Sequence, residues 1–401
     1  MTPLSFRRSR AGLVQACLAM LAFGALAAPP KPPAKPQPPP LPTEDIGIQR
    51  LAPADGHRIF LVDPAMGHLA DGRTHIVDGR SMHFLGLLGT GYAGFTTLSR
   101  DGRYIYVSTS YHSRVQRGTR TDVVEIYRSE DLVFEQEIEL PTKRTQGLQI
   151  RALTATSADD RFLLLQNATP AASITVVDTR ERRVVTEFPN SGCWGVIPWP
   201  SDARRLSSIC GDGRLATYEL NADGTLKSTQ ASAPFFDPDT DPVFVHYEWI
   251  GDELTLLSFA GKVHPLRLSG GTVSALPTWS LVDAAARKQG WRPGGFQLFA
   301  IDPRRGTLYV AMHAQGGEGS HKTPAQQIWV VDLKSQRRVA TMPGTMALSM
   351  TISQGDAPRL YVLNAADNRL HAFDLSRSRA PAKAVKVSDP TGETPVYLVL
   401  Q

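Results

Sequence analysis

Residues 152–220 read ALTATSADDRFLLLQNATPAASITVVDTRERRVVTEFPNSGCWGVIPWPSDARRLSSICGDGRLATYEL. Three short apolar runs, LTATS (153–157), FLLLQ (162–166) and ITVVD (174–178), are separated by turn-forming clusters. A fourth, VVTEF (184–188), follows the polar turn 179–183. Each is strand length, and β-branched residues dominate the third and fourth. None is long enough for an independent helix. After Gly192 the cycle restarts with WGVIP. Four strands followed by a restart is the unit of a β-propeller blade.

The unit recurs along the chain. Its third-strand signature is an apolar run that closes on Asp or a polar equivalent. It appears near Asp78, Tyr127, Asp178, Leu220, Leu268, Asp332 and Asp374. Matching first strands are FTTLS, IRALTATS, WGVIPWP, VFVHYEWI, FQLFAI, ALSMTIS and, at the end, PVYLVL. The last copy lacks later strands, whereas RIFLVD, THIVD and HFLGLL near the start lack a first one. Pairing the two ends closes the ring and removes two sheet edges. The expectation is an all-β, seven-bladed propeller over residues 46–401, with N- and C-terminal strands sharing one blade.

Residues 1–28 read as a cleaved signal peptide. Arg7, Arg8 and Arg10 precede an uncharged Ala/Leu-rich run, and Ala25-Leu26-Ala27 has the small-x-small pattern of a cleavage site. Residues 29–45 form a Pro-rich tether, extended by composition. The formal charge of +5 sits in these segments. Arg7, Arg8, Arg10, Lys31 and Lys35 account for it, and no acid precedes Glu44. The remainder is formally neutral and lacks the concentrated basic face of a nucleic-acid binder. Arg114, Arg117 and Arg120 read as loop residues facing solvent or a partner. Export leaves Cys193 and Cys210, on neighbouring strands of one blade. Pairing is the expected state in an oxidising compartment, with two free buried thiols as the alternative. Closing a loop of about 17 residues contributes roughly 3 kcal/mol in the chain-entropy model.

Tempting motifs fail on context. Gly89 to Gly94 spell GxGxxG, but strand, turn and strand follow where dinucleotide binding needs a helix N-terminus. They read as a blade-to-blade turn. GGEGSHKT (316–323) resembles a phosphate loop but precedes the strand IWVVD, so it reads as a loop between the second and third strands of a blade. The ten histidines are dispersed with no metal-ligand spacing. No GxSxG elbow is present. Asp159-Asp160 and Asp237, Asp239 and Asp241 lie in turn contexts. Residues 280–290 form the clear helical stretch, with Ser280 as cap and Gly290 as stop. The residues supply no visible nucleophile, base, metal site or cofactor site.

Several stretches nevertheless resemble the heavy (alpha) subunit of the tryptophan tryptophylquinone amine dehydrogenases, the methylamine dehydrogenase heavy chain family. The likeness is greatest to its aromatic amine dehydrogenase branch. They are LGTGYAG (88–94), TSYHSRVQRGTRTDVVEIY (109–127), LPTKRTQGL (140–148), LQNATPAASITVVD (165–178), GCWGVIP (192–198), SSICGDG (207–213), WRPGG (291–295), EGSHKTPAQQIWVVD (318–332) and ALSMTI (347–352). The match runs in order through residues 50–375.

The resemblance implies a seven-bladed propeller in a periplasmic α2β2 enzyme that deaminates primary, aromatic amines to aldehydes. It implies no cofactor in this chain. A small disulfide-rich light (beta) subunit carries tryptophan tryptophylquinone, and a blue copper protein of azurin or amicyanin type accepts the electrons. The family's heavy-chain cysteine pair falls on Cys193 and Cys210. The heavy chain's part is to scaffold the light subunit and wall the substrate entrance. Candidates for that wall are Gly67, His68, Leu69, Tyr92 and Phe95. The segment aligned with the family's channel loop, Met66 to Leu69, carries no aromatic, a departure from the pattern. The alternative is a self-sufficient exported propeller, either a binding module or a metal-dependent, lactonase-like enzyme.

Overall fold

The computed structural model describes residues 47, 49–147 and 149–401. The expected signal peptide, the tether and the boundary at residue 46 lie outside the described residues. No helix among the described residues is long and apolar enough to cross a membrane.

Antiparallel strands assemble into seven blades, numbered here in chain order. Blade 1 joins Tyr397–Leu400 to Arg58–Asp63, Gly72–Asp78 and the first half of Phe84–Leu98. The second half of that strand opens blade 2, which continues through Tyr104–His112, Arg120–Arg128 and Phe134–Leu140. Blade 3 runs from Thr154–Thr156 to Arg183–Pro189, blade 4 from Cys193–Pro198 to Leu226–Ala231, and blade 5 from Val243–Ile250 to Thr272–Ala275. Blade 6 runs from Phe299–Asp302 into the first half of Arg337–Ile352. The second half of Arg337–Ile352 opens blade 7, which ends at Lys386–Val387. Two strands thus serve two blades each, and all seven third-strand runs read from the sequence are third strands here.

The chain ends close the ring as expected. Ile59 pairs with Leu400 and Val62 with Tyr397. Side chains from other blades reinforce the closing strand: Gln297 donates to the Leu398 carbonyl at 3.0 Å and accepts from its N–H at 2.8 Å. The Tyr397 hydroxyl accepts from the Thr96 N–H at 2.9 Å.

The apolar runs lack period-two alternation because neighbouring blades cover both faces of the inner strands. Arg58–Asp63 and Phe162–Asn167 are buried along their whole length, whereas the outermost strand Leu226–Ala231 is largely exposed. The core is therefore divided into layers between blades. Phe162, Leu164 and Phe188 of blade 3 pack on Val196, Leu206 and Tyr218 of blade 4. Ile59, Val77 and Leu398 of blade 1 pack on Tyr361 and Leu363 of blade 7.

The Asp that closes a third strand has a local cause. Its carboxylate accepts N–H groups of the following turn, as in Arg80 to Asp78 at 2.7 Å, Arg180 to Asp178 at 2.9 Å, Ser335 to Asp332 at 2.8 Å and Ser376 to Asp374 at 2.8 Å. The helix is shorter than its sequence stretch, Ala284–Lys288, and its cap is Asp283, which accepts from the Ala286 N–H. Ser280 is taken up instead by strand pairing with Lys262. Gly290 follows the helix at φ 68°, as a stop residue should. The GGEGSHKT segment is the loop between the second and third strands of blade 6.

Candidate functional site

Alternating strand direction puts the second-to-third-strand loops and the blade-to-blade crossings on one face of the ring, called here the crossing face. The first-to-second and third-to-fourth turns lie on the opposite, turn face. The crossing face carries the long connections, residues 64–71, 113–119, 141–153, 276–298, 314–324 and 388–396. Gly67, His68, Leu69 and Tyr92 all lie on it.

The blade 1 loop is held from below by Asp63, whose side chain is 1% exposed. Its carboxylate accepts the N–H groups of Ala65 at 2.8 Å and Thr394 at 3.1 Å, and also that of Glu393. Burial raises its pKa, but His75 and these backbone donors outweigh burial and hold it at about 2. His75 itself stands 3.7 Å away, beyond hydrogen-bond reach, so the backbone donors are the dominant geometric cause. Asp63 thereby ties the loop after Arg58–Asp63 to the crossing that delivers the closing strand. On this base His68 Nδ1 sits 3.3 Å from Glu393 Oε2, and the Met66 N–H donates to Thr394 Oγ1 at 2.6 Å. Leu69 opens a one-turn 3-10 helix, Leu69–Asp71.

Tyr92 sits where Phe84–Leu98 passes from blade 1 to blade 2. The GxGxxG glycines serve this passage, which is a bent strand rather than a turn. Gly91 has φ 56°, and a Cβ there would meet Thr109 Oγ1 at 2.6 Å. A Cβ on Gly94 would lie 2.2 Å from the Thr90 carbonyl oxygen. Both positions require glycine. The Tyr92 ring meets His112 edge-on, with centroids 5.2 Å apart.

Arg144 fixes this passage. It lies in the crossing from blade 2 to blade 3 and is 2% exposed. Its guanidinium donates to the Tyr92 carbonyl at 3.3 Å, the Ala93 carbonyl at 2.6 Å, Ser108 Oγ at 3.2 Å and Ser110 Oγ at 2.8 Å. Phe95 lies under it, with the cation 4.9 Å from the ring centroid. Asp122 accepts the Arg144 N–H at 3.1 Å and is itself clamped by Arg120 through two bonds of 2.7 Å. Burial pulls the Arg144 pKa down to about 9 and Asp122 offsets part of that, so the group stays cationic at neutral pH.

Two sequence expectations change here. Phe95 is 2% exposed and packs inside, beneath Arg144, so it supports the wall rather than lining it. Arg120 is an ion-pair partner inside the network, whereas Arg114 and Arg117 are exposed loop residues. The stretch LPTKRTQGL contains Arg144, but nothing local distinguishes that arginine from its surface neighbours. Sequence reading also missed the exposed apolar groups of this face, Met66 (47%), Val115 (72%) and Met346 (46%). His112 Nδ1, Gln146 Nε2 and Trp194 Nε1 are shielded from solvent with no hydrogen-bond partner among the described residues. Exposed apolar side chains beside unsatisfied donors are the marks of a surface that another protein completes.

Cys193 and Cys210 form a disulfide on the same face, where their strands pair in register. Among the described residues no group of three or more His, Cys, Asp or Glu is placed to hold a metal ion.

The fold is that of a seven-bladed propeller whose long loops gather mostly on one face. The sequence pattern that describes methylamine dehydrogenase heavy chains (MADH) matches residues 55–397, and the chain belongs to that family. The methylamine dehydrogenase heavy chain of Methylobacillus flagellatus is 25% identical over 355 residues, 88% of this chain and 86% of that protein. That of Methylophilus methylotrophus is 26% identical over 354 residues, 87% and 85% of the two chains. A solved Bacteroides fragilis protein, provisionally named a 6-phosphogluconolactonase, superposes with a TM-score of 0.59 at 14% identity, over 88% of this chain and 99% of that one. The last likeness concerns the fold alone. Family membership makes this chain an amine dehydrogenase subunit and implies a light-subunit partner.

Proposed function

We propose that this chain is the non-catalytic heavy subunit of a periplasmic quinoprotein amine dehydrogenase, assembled as α2β2 and acting on primary, aromatic amines. The observation that carries the reading is the crossing face of blades 1 and 2. There Arg144 holds Tyr92 in place, and Asp63 holds the Gly67, His68 and Leu69 loop through the neighbouring crossing. In this reading the light subunit seats on that face and supplies the tryptophan tryptophylquinone, which acts as the electron sink of amine oxidation. This chain excludes water and shapes the entrance, with Tyr92, His68 and Leu69 as its wall. Electrons leave to a blue copper protein of azurin or amicyanin type. The resemblance to the aromatic branch favours arylalkylamines over methylamine.

Tyr92→Ala tests the wall directly. Tyr92 is half-buried and its ring contacts His112, so the loss in stability should stay within about 1 kcal/mol. Affinity for the light subunit, or KM for phenethylamine in the assembled enzyme, should change at least tenfold. An assembled Tyr92→Ala enzyme with unaltered affinity and KM would remove Tyr92 from the wall.

The second reading, a self-sufficient binding module or lactonase-like enzyme, has a large axial cavity in its favour. Stoichiometric metal on the purified lone chain would favour its enzymatic form.

A further inference from the structure

The axial cavity opens on the turn face, away from the proposed light-subunit surface, and has a volume of about 1140 Å³. Inner strands of blades 1 to 5 wall it, and the segment from Leu51 to Gly56 borders its mouth. Arg151 and Glu248, from blades 3 and 5, pair across the axis at 3.0 Å and contribute to its inner wall. Tyr104 and Trp249 add aromatic surface.

The charges around the cavity are unevenly matched. Arg103 is paired with Asp101 at 2.7 Å, Arg128 with Asp131 at 2.7 Å, and Arg151 with Glu248. Glu130 faces Arg50 at 3.8 Å. Arg58 and Arg100 are left without a carboxylate partner among the described residues. Arg58 is 6% exposed, and its guanidinium bonds neutral acceptors only, Gln401 Oε1 at 2.9 Å and the Ala52 carbonyl. A buried cation without a counter-charge is costly. Burial accordingly lowers the Arg58 pKa, and the more distant Asp55 and Asp78 restore only part of it. Arg100 is exposed at the rim, and only its backbone is engaged, through its N–H to Asp160 Oδ1 at 2.7 Å.

We propose that this cavity is a second, independent binding site, for a small aromatic carboxylate. Arg58 and Arg100 meet the anion, and the ring lies against Trp249. Concave sites of this kind use aromatic walls for affinity and a few fixed polar groups for orientation. The site requires neither the light subunit nor its quinone, so its fate is separate from that of the proposed activity.

The test is calorimetric titration of the full chain with phenylacetate, with and without the light subunit. Phenylethanol keeps the ring without the charge, and inorganic phosphate keeps charge without the ring. We expect one saturable site for phenylacetate in both preparations, with both controls at least tenfold weaker. Arg100→Ala, which breaks no side-chain bond in the structure, should weaken phenylacetate at least fivefold at unchanged melting temperature. No saturable binding would overturn the proposal, as would phenylethanol binding as tightly as phenylacetate. Phosphate binding as tightly would remove the aromatic specificity, and an unaffected Arg100→Ala variant would remove the site from this cavity.

Discussion

The two faces of the ring are built from the same strands but held by different means. On the turn face most connections are short and close on local hydrogen bonds, the link 375–385 of blade 7 being a long exception. Ser99 and Ser157 each donate to an Asp two residues on, at 2.7 and 2.6 Å, and each accepts the N–H of the next strand's first residue or its neighbour, at 2.9 and 3.0 Å. On the crossing face the connections are long, and residues distant in sequence pin them: Arg144 to Tyr92 and Ala93, Asp63 to Glu393 and Thr394, Cys193 to Cys210. A face made of local turns has little left to offer a protein partner around its perimeter. A face held by a few long-range anchors keeps its loops free, and it is the face proposed to seat the light subunit.

The contrast is open to direct attack. Arg144→Met should have the largest effect, since it strands the carbonyls of Tyr92 and Ala93 in the interior and removes the bonds to Ser108 and Ser110. We expect a loss of about 3–5 kcal/mol in denaturant unfolding, together with loss of light-subunit association. A variant as stable as the parent would show that the passage holds itself.

Asp63→Asn comes next and has a pH signature. With its pKa held at about 2 against an ordinary value of 3.8, Asp63 contributes about 2 kcal/mol at neutral pH. The sign follows from proton uptake. The unfolded chain protonates first as pH falls, so the contribution is complete above about pH 5 and lost by about pH 2. Parent and Asp63→Asn stabilities should therefore differ at pH 7 and converge at acid pH. A gap independent of pH would assign the effect to packing.

His246 acts in the same direction over a higher range. Burial, then Arg151, lower its pKa to about 3, while its bond to the Phe299 carbonyl at 2.9 Å works against them. Below about pH 6.5 the unfolded chain takes up a proton that the folded chain refuses, so stability falls with pH there. The smallest effect belongs to the turn face. Ser157→Ala should cost about 1 kcal/mol, the usual net value of such a bond, and leave partner binding unchanged. A larger loss would mean that the turn face is not self-contained.

What the sequence exposed divides along the same line. Four of the seven third strands were legible because an apolar run closed by a turn-forming Asp is a local pattern; the other three, and the pairing of the chain ends, followed from the spacing of the repeat and its incomplete first and last copies. Asp78, Asp178, Asp332 and Asp374 show its cause in their own turn hydrogen bonds. The structural role of the GxGxxG stretch was legible from its context. Arg144 was not, because a lone arginine in LPTKRTQGL reveals its burial only once blades 1, 2 and 3 converge on it. Phe95 failed as a surface residue for a related reason, since an apolar residue at a strand start reads the same whether it faces a channel or a guanidinium. The helix cap moved from Ser280 to Asp283 because both can cap, and pairing with Lys262 decides between them. Arg58 and Arg100 gave no local sign of a cavity, because the ring alone brings their blades around one axis.

The central claim is that this chain builds a platform and another chain does the chemistry. Amine-dependent dye reduction, measured on the lone chain and on the chain reassembled with its light subunit, tests it most directly. Phenethylamine turnover is expected from the pair and none from the lone chain. Turnover by the lone chain, or an inactive pair, would contradict it.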